Sequence, residues 1–335
     1  MIQERNSMTK KKYIAHGWIL YRPDKGLVKQ ESYEIDRLLE TAPRYGYKVE
    51  VVNPDELSFF IGMGGRPDLF LRGELVSPLP QFVIPRMGSA TSYFALAALR
   101  HLEKLGIYSL NSSRAVALAQ DKLRHLQILS DADFPVPKTI LVQFPVNLDL
   151  IEQEIGFPTV VKTRIGTQGS GVHLCETRQA LNDLLQFVQA NNPDAELFLQ
   201  KFLPESRGRD VRVLSIGGMI VGAMERKAAE GFKSNYSQGG SAIPFEYGPK
   251  NQLAVADTMK ALGMDMAGFD YLYDDEIGLR ILEVNSSPGF EGLEKTCQVD
   301  VAAEVFRFLD VKLKISNKYK ARVLGWDQPA ECLPA

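Results

Sequence analysis

Two oxygen-bearing side chains lie two residues apart in the segment of this chain that says most about its chemistry. The segment Ile281–Glu291 reads Ile-Leu-Glu-Val-Asn-Ser-Ser-Pro-Gly-Phe-Glu, a short apolar strand that turns sharply at Pro288 and Gly289. Because side chains alternate along a strand, Glu283 and Asn285 share one face. Hard oxygen ligands of this kind suit a Mg²⁺ that carries nucleotide phosphates. The alternative reading of the pair is an edge strand with a polar face.

Further charged residues lie on other predicted strands. Asp270 stands in Ala-Gly-Phe-Asp-Tyr-Leu, a strand otherwise suited to burial. A carboxylate there is costly unless it is paired, hydrogen-bonded or bound to a metal, so a structural salt bridge is the alternative to a metal ligand. Asp210 and Arg212 alternate along another strand and share a face. They form either a surface ion pair or a site that holds a ribose and stabilises charge in a reaction.

Lysines and glycine-rich loops supply groups that bind phosphate. Lys162 ends a predicted strand and precedes the loop Gly166–Gly171, whose glycines let backbone N–H groups approach phosphate oxygens. This loop departs from the P-loop and Rossmann fingerprints, which follow a strand and open a helix, and a flexible hairpin loop is its alternative. A second polar, glycine-rich loop spans 231–240, where Lys233 suits a closing lid as well as a mobile surface loop. Lys122 begins a helix and carries little weight alone.

The elements that must position these residues begin with an α/β pattern. Hydrophobic periodicity predicts strands at 13–15 and 48–52 around a helix at 33–45, then a strand at 81–85, a helix at 92–105 and a strand at 107–110. This order predicts a small parallel α/β domain, and N-cap residues at 111–113 start a helical stretch towards Ser130. The segment Gly17–Glu31 resembles an insertion.

The rest of the chain predicts two further modules. The central one has strands at 139–142, 159–163 and 172–175 with helices at 148–155 and 177–191. The third has strands at 197–200, 210–216, 219–226, 267–273 and 279–284, a Gly217-Gly218 hairpin turn, and helices at 252–262 and 299–313. We therefore expect domains at 9–111, 112–195 and 196–315, followed by a peripheral tail at 316–335.

Composition excludes several classes of protein. The 335 residues carry 39 Lys and Arg against 41 Asp and Glu, a net charge of −2 without the basic excess of a nucleic-acid or anionic-membrane binder. The three cysteines are far apart and odd in number, which supports neither a disulfide framework nor a zinc site. The first twelve residues lack the apolar stretch of a secretory signal, and no later run has membrane-span length, so we expect a cytoplasmic protein. Met1 and Met8 are alternative starts.

Together these segments resemble the ATP-grasp ligases, and within them the RimK branch, over roughly 84–309. Each motif is weak alone, but their joint order and spacing are specific. The motifs are Ile84-Pro-Arg86-Met-Gly, Asp121-Lys122-Leu, Val161-Lys162 with Gly-Thr-Gln-Gly-Ser-Gly, Asp210-Val-Arg212, Glu225-Arg226-Lys227, Lys233-Ser-Asn235, Ala267-Gly-Phe-Asp270 and Glu283-Val-Asn285-Ser-Ser-Pro-Gly-Phe-Glu-Gly-Leu-Glu-Lys-Thr296. The resemblance implies a mixed α/β ATP-grasp fold with an N-terminal Rossmann-like pre-ATP-grasp domain, a small lid domain and a C-terminal antiparallel-sheet domain.

The resemblance also implies roles for single residues. ATP would be bound by Lys122, Lys162, Gly169, Gln200, Lys201, Phe202, Asp210, Lys233, Ser234 and Asn235. Asp270, Glu283 and Asn285 would hold two Mg²⁺ ions, with Mn²⁺ as a substitute, and Arg212 would face the transferred phosphoryl group. Arg86, Arg226 and Gly289 would contact substrate. Lys201 departs from the family, which often has an acidic residue there.

The activity implied by the resemblance is ATP-dependent amide formation through an acyl phosphate. We expect L-glutamate to be added to the C-terminus of a protein or peptide, by a chain that forms a homo-oligomer. Two alternatives remain open from the sequence. One is a ligase that joins another amino acid to a small-molecule carboxylate, and the other is a regulatory protein that binds ATP on the same fold without catalysis.

Overall fold

The computed structural model describes residues 13–22, 32–62, 68–88, 91–163, 171–229, 240–316 and 319–320. The chain divides into two compact units, one made of Met1–Ser113 with Asp300–Ala335 and the other of Arg114–Val299. The division into three domains and a tail stays a prediction. Among the described residues, no helix combines the length and the apolar character needed to cross a membrane.

The first unit is built on a four-stranded parallel sheet. Its strands are β1 (Ala15–Leu20), β2 (Tyr47–Val52), β3 (Leu57–Phe59), β4 (Leu69–Leu71), β5 (Glu74–Leu75), β6 (Phe82–Pro85) and β7 (Tyr108–Ser109), and its first helices are α1 (Ser32–Thr41) and α2 (Tyr93–Lys104). The parallel sheet has the order β2-β1-β6-β7, as the β-α-β prediction requires. Strands β3, β4 and β5 form a separate antiparallel sheet that the sequence pattern did not predict.

One sequence prediction for this unit is wrong. Strand β1 runs from Ala15 to Leu20, so Gly17–Leu20 belong to the middle of the sheet and not to an insertion. Trp18, Ile19 and Leu20 are buried. The strand needs a glycine at this position, because a Cβ at Gly17 would lie 2.2 Å from the ring of Phe82 on the neighbouring strand. The remainder of the predicted insertion, 23–31, lies outside the described residues.

The second unit contains two antiparallel sheets. Its elements are α3 (Ser113–Gln120), α4 (Lys122–Asp131), β8 (Thr139–Val142), α5 (Leu148–Glu154), β9 (Thr159–Thr163), β10 (Val172–Cys175), α6 (Arg178–Asn191), β11 (Leu197–Lys201), β12 (Arg209–Ile216), β13 (Met219–Lys227), β14 (Ser241–Pro244), α7 (Pro249–Leu262), β15 (Met266–Asp274), β16 (Gly278–Asn285) and α8 (Glu291–Cys297). The smaller sheet has the order β10-β9-β11-β8 and the larger one β14-β13-β12-β15-β16. Helix α9 (Val301–Lys312) belongs to the first unit.

The larger sheet presents two chemically different faces. Val211, Val213 and Phe269 are fully buried in the hydrophobic core together with Val255 of α7 and Leu129 of α4. Since side chains alternate along a strand, the residues between them point to the opposite face. That face carries the charged residues singled out in the sequence.

Helix α4 begins at Lys122, as the sequence predicts, within the helical stretch expected from 111–113 towards Ser130. The side chain of Asp121 accepts a hydrogen bond from the backbone N–H of Arg124 at 3.0 Å, a typical N-cap. The cap starts α4 at Lys122, so the Lys122 side chain extends from the first turn of this helix.

Candidate active site

Charged residues on four neighbouring strands line one face of the larger sheet. Arg226 on β13 is paired in register with Asp210 on β12, and Arg212 on β12 is paired with Asp270 on β15. Asp270 is in turn opposite Glu283 on β16. The register therefore brings together residues that are up to 73 positions apart in the chain, from Asp210 to Glu283 (283 − 210).

Four of these residues form a continuous chain of ion pairs, here named the charged row: Asp210, Arg226, Asp270 and Arg212. Arg226 donates from Nε and Nη2 to the two oxygens of Asp210, at 2.7 and 2.6 Å, and from Nη2 to Oδ1 of Asp270 at 2.9 Å. Arg212 donates from Nε to Oδ1 of Asp270 and from Nη2 to Oδ2, the second bond at 2.9 Å. No side chain of the row is more than 14% exposed, and each charge is paired, as burial demands.

The electrostatics of the row keep Asp270 ionised. Burial is the largest influence and by itself raises the pKa of this carboxyl group, but Arg212 and Arg226 more than offset it and hold the pKa below the ordinary value. The pKa of Arg226 is raised by Asp270 and Asp210 although burial lowers it. Both groups are thus charged throughout the physiological range.

Asp270 of the charged row and two residues beside the row fit a magnesium ion. The predicted metal ligands are two carboxylates and one amide. Among the described residues, no group of three or more His, Cys, Asp or Glu could hold a metal ion. Mg²⁺ usually keeps several waters and is held by one or two carboxylates together with phosphate oxygens. Asp270 and Glu283 face each other across β15 and β16, with Asn285 two residues further on the same face. This donor set suits a metal that arrives with a nucleotide.

A cavity that is partly open to solvent is lined in part by Glu283. The Lys122 ammonium lies 3.9 Å from Oε1 of Glu283. Lys162 donates a hydrogen bond from Nζ to Oε1 of Gln200 at 2.7 Å, and Gln200 donates from Nε2 to Oγ1 of Thr139 at 2.8 Å. The cavity is thus lined by one carboxylate and by two cations, which can pair with phosphate oxygens. Its lining residues are Lys122, Leu126, Thr139, Lys162, Phe198, Gln200, Leu282 and Glu283.

We expect nucleotide binding to depend on pH, because the predicted phosphate ligand Lys162 has a lowered pKa. Burial, with a smaller contribution from Lys122, lowers the pKa of Lys162 to about 8, against the opposing effect of Glu283. Because the ammonium loses its proton as the pH rises through this value, we expect the affinity for MgADP to fall by up to about tenfold per pH unit above it. Calorimetric titrations from about pH 7 to about pH 9.5 measure this.

A matched pair of variants separates this lysine from others. Lys162→Arg keeps its charge over the whole range and should remove the pH dependence, because an arginine does not deprotonate there. Lys260→Arg, at the exposed end of α7, should leave the dependence as it is. Unchanged pH dependence in Lys162→Arg would contradict the assignment.

The other predicted site residues are distributed as follows. Gln200 was expected to bind ATP, and its side chain bridges Lys162 and Thr139; Phe202 is buried after β11, and Lys201 is exposed. Arg86 is buried in the first unit, directly after β6. Gly289 is exposed in the connection from β16 to α8. Gly169, Lys233, Ser234 and Asn235 lie outside the described residues. Their roles, like those of the whole set, stay predictions.

Sequence reasoning missed some of the groups around the cavity. Thr139 was taken only as the first residue of a strand, but register places it opposite Gln200. His125 was not considered, although it is fully buried one turn after Lys122. Burial and the neighbouring Lys122 lower the pKa of this imidazole to about 4. A polar residue inside an apolar helix face was the one available signal for His125.

Comparisons with known proteins define the class. Residues 119–309 match the RimK-like ATP-grasp domain, and residues 27–116 match the RimK PreATP-grasp domain. The chain is 35% identical over 294 residues to a probable alpha-L-glutamate ligase of Legionella pneumophila strain Corby, covering 86% of this chain and 95% of the relative. It is 39% identical over 283 residues to a probable alpha-L-glutamate ligase of Citrobacter koseri, covering 83% and 92%.

Solved structures share the fold. The ATP-grasp ligase PsnB complexed with a minimal precursor superposes with a TM-score of 0.68 at 20% identity, over 89% of this chain and 99% of that one. D-alanine–D-alanine ligase from Bacillus anthracis complexed with ATP gives a TM-score of 0.61 at 17% identity, over 90% and 97%. The fold predicted from the sequence, a mixed α/β ATP-grasp fold, is thereby confirmed.

The domain matches and the curated relatives identify the chain as an ATP-grasp ligase, an enzyme that forms carbon–nitrogen bonds. The extent of the two domain matches and the identity to curated relatives place it further: it belongs to the RimK-like ATP-grasp family.

Proposed function

We propose that this protein adds L-glutamate to the C-terminal carboxylate of a protein or peptide, using ATP and Mg²⁺. The observation that carries the proposal is the charged row with Glu283 beside it. Glu283 lines a cavity together with Lys122 and Lys162. Relatives named probable alpha-L-glutamate ligase support glutamate as the amino acid. Complexes of PsnB with a minimal precursor, Mg and ADP, and with a precursor peptide, support a peptide acceptor, ATP and Mg²⁺.

The chemistry follows from the poor electrophilicity of a carboxylate. An oxygen of the acceptor carboxylate attacks the γ-phosphorus of ATP, the bond to the β-phosphate oxygen breaks, and ADP leaves an acyl phosphate behind. The amine of glutamate then attacks the acyl carbon, the C–O bond to phosphate breaks, and the amine loses a proton as the amide forms. A bound Mg²⁺ would neutralise charge on the β- and γ-phosphates.

The protein's own residues contribute positioning and charge. Lys162 and Lys122 would neutralise the phosphates in the cavity. Arg212, oriented through Asp270, would stabilise the charge of the phosphoryl group during transfer. Asp210 and Arg226 keep that carboxylate in place. The proposal includes a cytoplasmic location, a homo-oligomer, and Mn²⁺ as a substitute for Mg²⁺.

A panel of amino acids crossed with carboxylate acceptors tests the proposal. ADP release is measured by a coupled assay, and product by mass spectrometry, with peptides of varied C-terminus and small carboxylates as acceptors. We expect ADP release that requires glutamate together with a peptide, and a peptide whose mass has grown by glutamyl residues. Turnover with a different amino acid, or only with small carboxylates, would mean that the proposed substrate is wrong. Nucleotide binding without turnover on the whole panel would favour a regulatory protein.

A further inference from the structure

Strand β15 has no side chain at Gly268, two residues before Asp270 on the same face of the sheet. A Cβ at Gly268 would lie 2.6 Å from Cβ of Pro288 and 3.3 Å from its Cγ. Real Cβ atoms essentially never approach another atom this closely, so the strand or the proline would have to move. The missing side chain therefore allows Pro288 to pack directly on the strand.

Pro288 belongs to the connection between β16 and α8, residues 286–290, named here the Pro288 loop. The loop starts beside Gly268, because Asn285 at the end of β16 is paired with it in register. Pro288 and Phe290 are buried, whereas Gly289 between them is exposed. Two buried side chains thus anchor the loop and leave the backbone at Gly289 facing outwards.

The same place on the sheet holds a nitrogen of Arg212 that is available for binding. Nε and Nη2 of Arg212 both donate to Asp270. In the part of the chain that the structure describes, Nη1 donates to no partner, and it lies 3.6 Å from the position of a Cβ at Gly268. A guanidinium N–H therefore lies beside the point where Pro288 packs on β15, and a guanidinium N–H binds anionic oxygens.

We propose that Gly268 is a positioning residue for the transferred phosphoryl group. It acts through Pro288, whose contact with β15 sets the height of the Pro288 loop above the strand and so the space beside Nη1 of Arg212. The inference rests on the proposed function in one respect, that the anion is the phosphoryl group carried by the acceptor carboxylate. A side chain at 268 would lift the loop by about 1 Å, enough to cost about 100-fold in rate when reacting groups are involved.

A cycle of three variants tests the contact: Gly268→Ala, Pro288→Gly and the double variant. Gly268→Ala should lower kcat about 100-fold, with KM for the amino acid and the affinity for MgADP changed less than about threefold. Pro288→Gly removes the Cβ that clashes, so adding Gly268→Ala to it should change kcat less than about threefold. An equal loss of kcat in both backgrounds would overturn the proposal.

A second measurement separates this proposal from the choice of substrate. Aluminium fluoride with MgADP imitates a phosphoryl group in transfer and needs no acceptor. The wild type should bind ADP at least about tenfold more tightly when aluminium fluoride is added, because the additive supplies an anion for the space beside Nη1 of Arg212. Gly268→Ala should lose this increment and bind MgADP alone as the wild type does. If no glutamate ligation is found but the increment behaves as stated, the proposed function fails and the role of Gly268 stands.

Gly17→Ala supplies the matched control for damage to packing. Its Cβ would meet the Phe82 ring in the first unit, so it should lower the melting temperature at least as much as Gly268→Ala. It should leave kcat and the aluminium fluoride increment unchanged. If Gly268→Ala likewise lowers only the melting temperature, the glycine is structural and the proposal is wrong.

Discussion

Replacing Asp270 by asparagine is expected to lower kcat/KM for ligation by about 1000-fold or more and to weaken Mn²⁺ binding in the presence of ADP. The substitution keeps the volume but removes the charge that faces Glu283 and that both Arg212 and Arg226 bind. Arg212 then loses its bidentate partner, so the phosphoryl group loses a fixed cation. Steady-state ADP release and titration with Mn²⁺ measure the two effects.

Asp274→Asn is the matched control. Asp274 is on the same strand, is buried, and accepts a hydrogen bond from Nε of Arg280 at 2.5 Å. Both asparagine variants should lower the melting temperature, because each leaves an arginine that is at most 23% exposed without its carboxylate. Only Asp270→Asn should lose turnover and metal affinity. Turnover of Asp270→Asn within about tenfold of the wild type would remove Asp270 from the site.

Arg212→Lys is expected to lower kcat by about 100- to 1000-fold while the affinity for MgADP changes less than about threefold. A lysine keeps the positive charge but cannot bind Asp270 through two nitrogens and offer a third to the phosphoryl group. Single-turnover measurement of acyl-phosphate formation separates this effect from substrate binding.

Arg280→Lys controls for the loss of an ion pair, because it alters the pair between Arg280 and Asp274 of β15. It should leave kcat unchanged. If Arg212→Lys instead raises KM for ATP with kcat unchanged, Arg212 binds the ground state of the nucleotide. Its assignment to the transferred group would then be wrong.

The sequence predicted most of the elements of the second unit because their patterns are local. Alternating apolar residues marked β12, β15 and β16, and Gly217-Gly218 marked the turn between β12 and β13. The same alternation places Asp210 and Arg212 on one face. In the first unit, strands β3, β4 and β5 have two or three residues each, which is too short for a periodic pattern.

The contacts between charged side chains depend on register, which local patterns do not specify. Nothing in the spacing of Asp210 and Arg226 shows that one guanidinium binds both Asp210 and Asp270. The bridge from Lys162 through Gln200 likewise depends on the pairing of β9 with β11. Gly268 illustrates the same limit, because its importance comes from a proline twenty residues later that packs on it (288 − 268).

The origin of the oxygen in released phosphate tests the central claim most directly. The acceptor carboxylate is labelled with ¹⁸O, and the inorganic phosphate formed during ligation is analysed by mass spectrometry. If the carboxylate attacks the γ-phosphorus, each phosphate released carries a carboxylate oxygen, and both labelled phosphate and amide should disappear in Asp270→Asn. Phosphate that carries no label while ADP accumulates would mean that water is the nucleophile, and would contradict a carboxylate–amine ligase acting through an acyl phosphate.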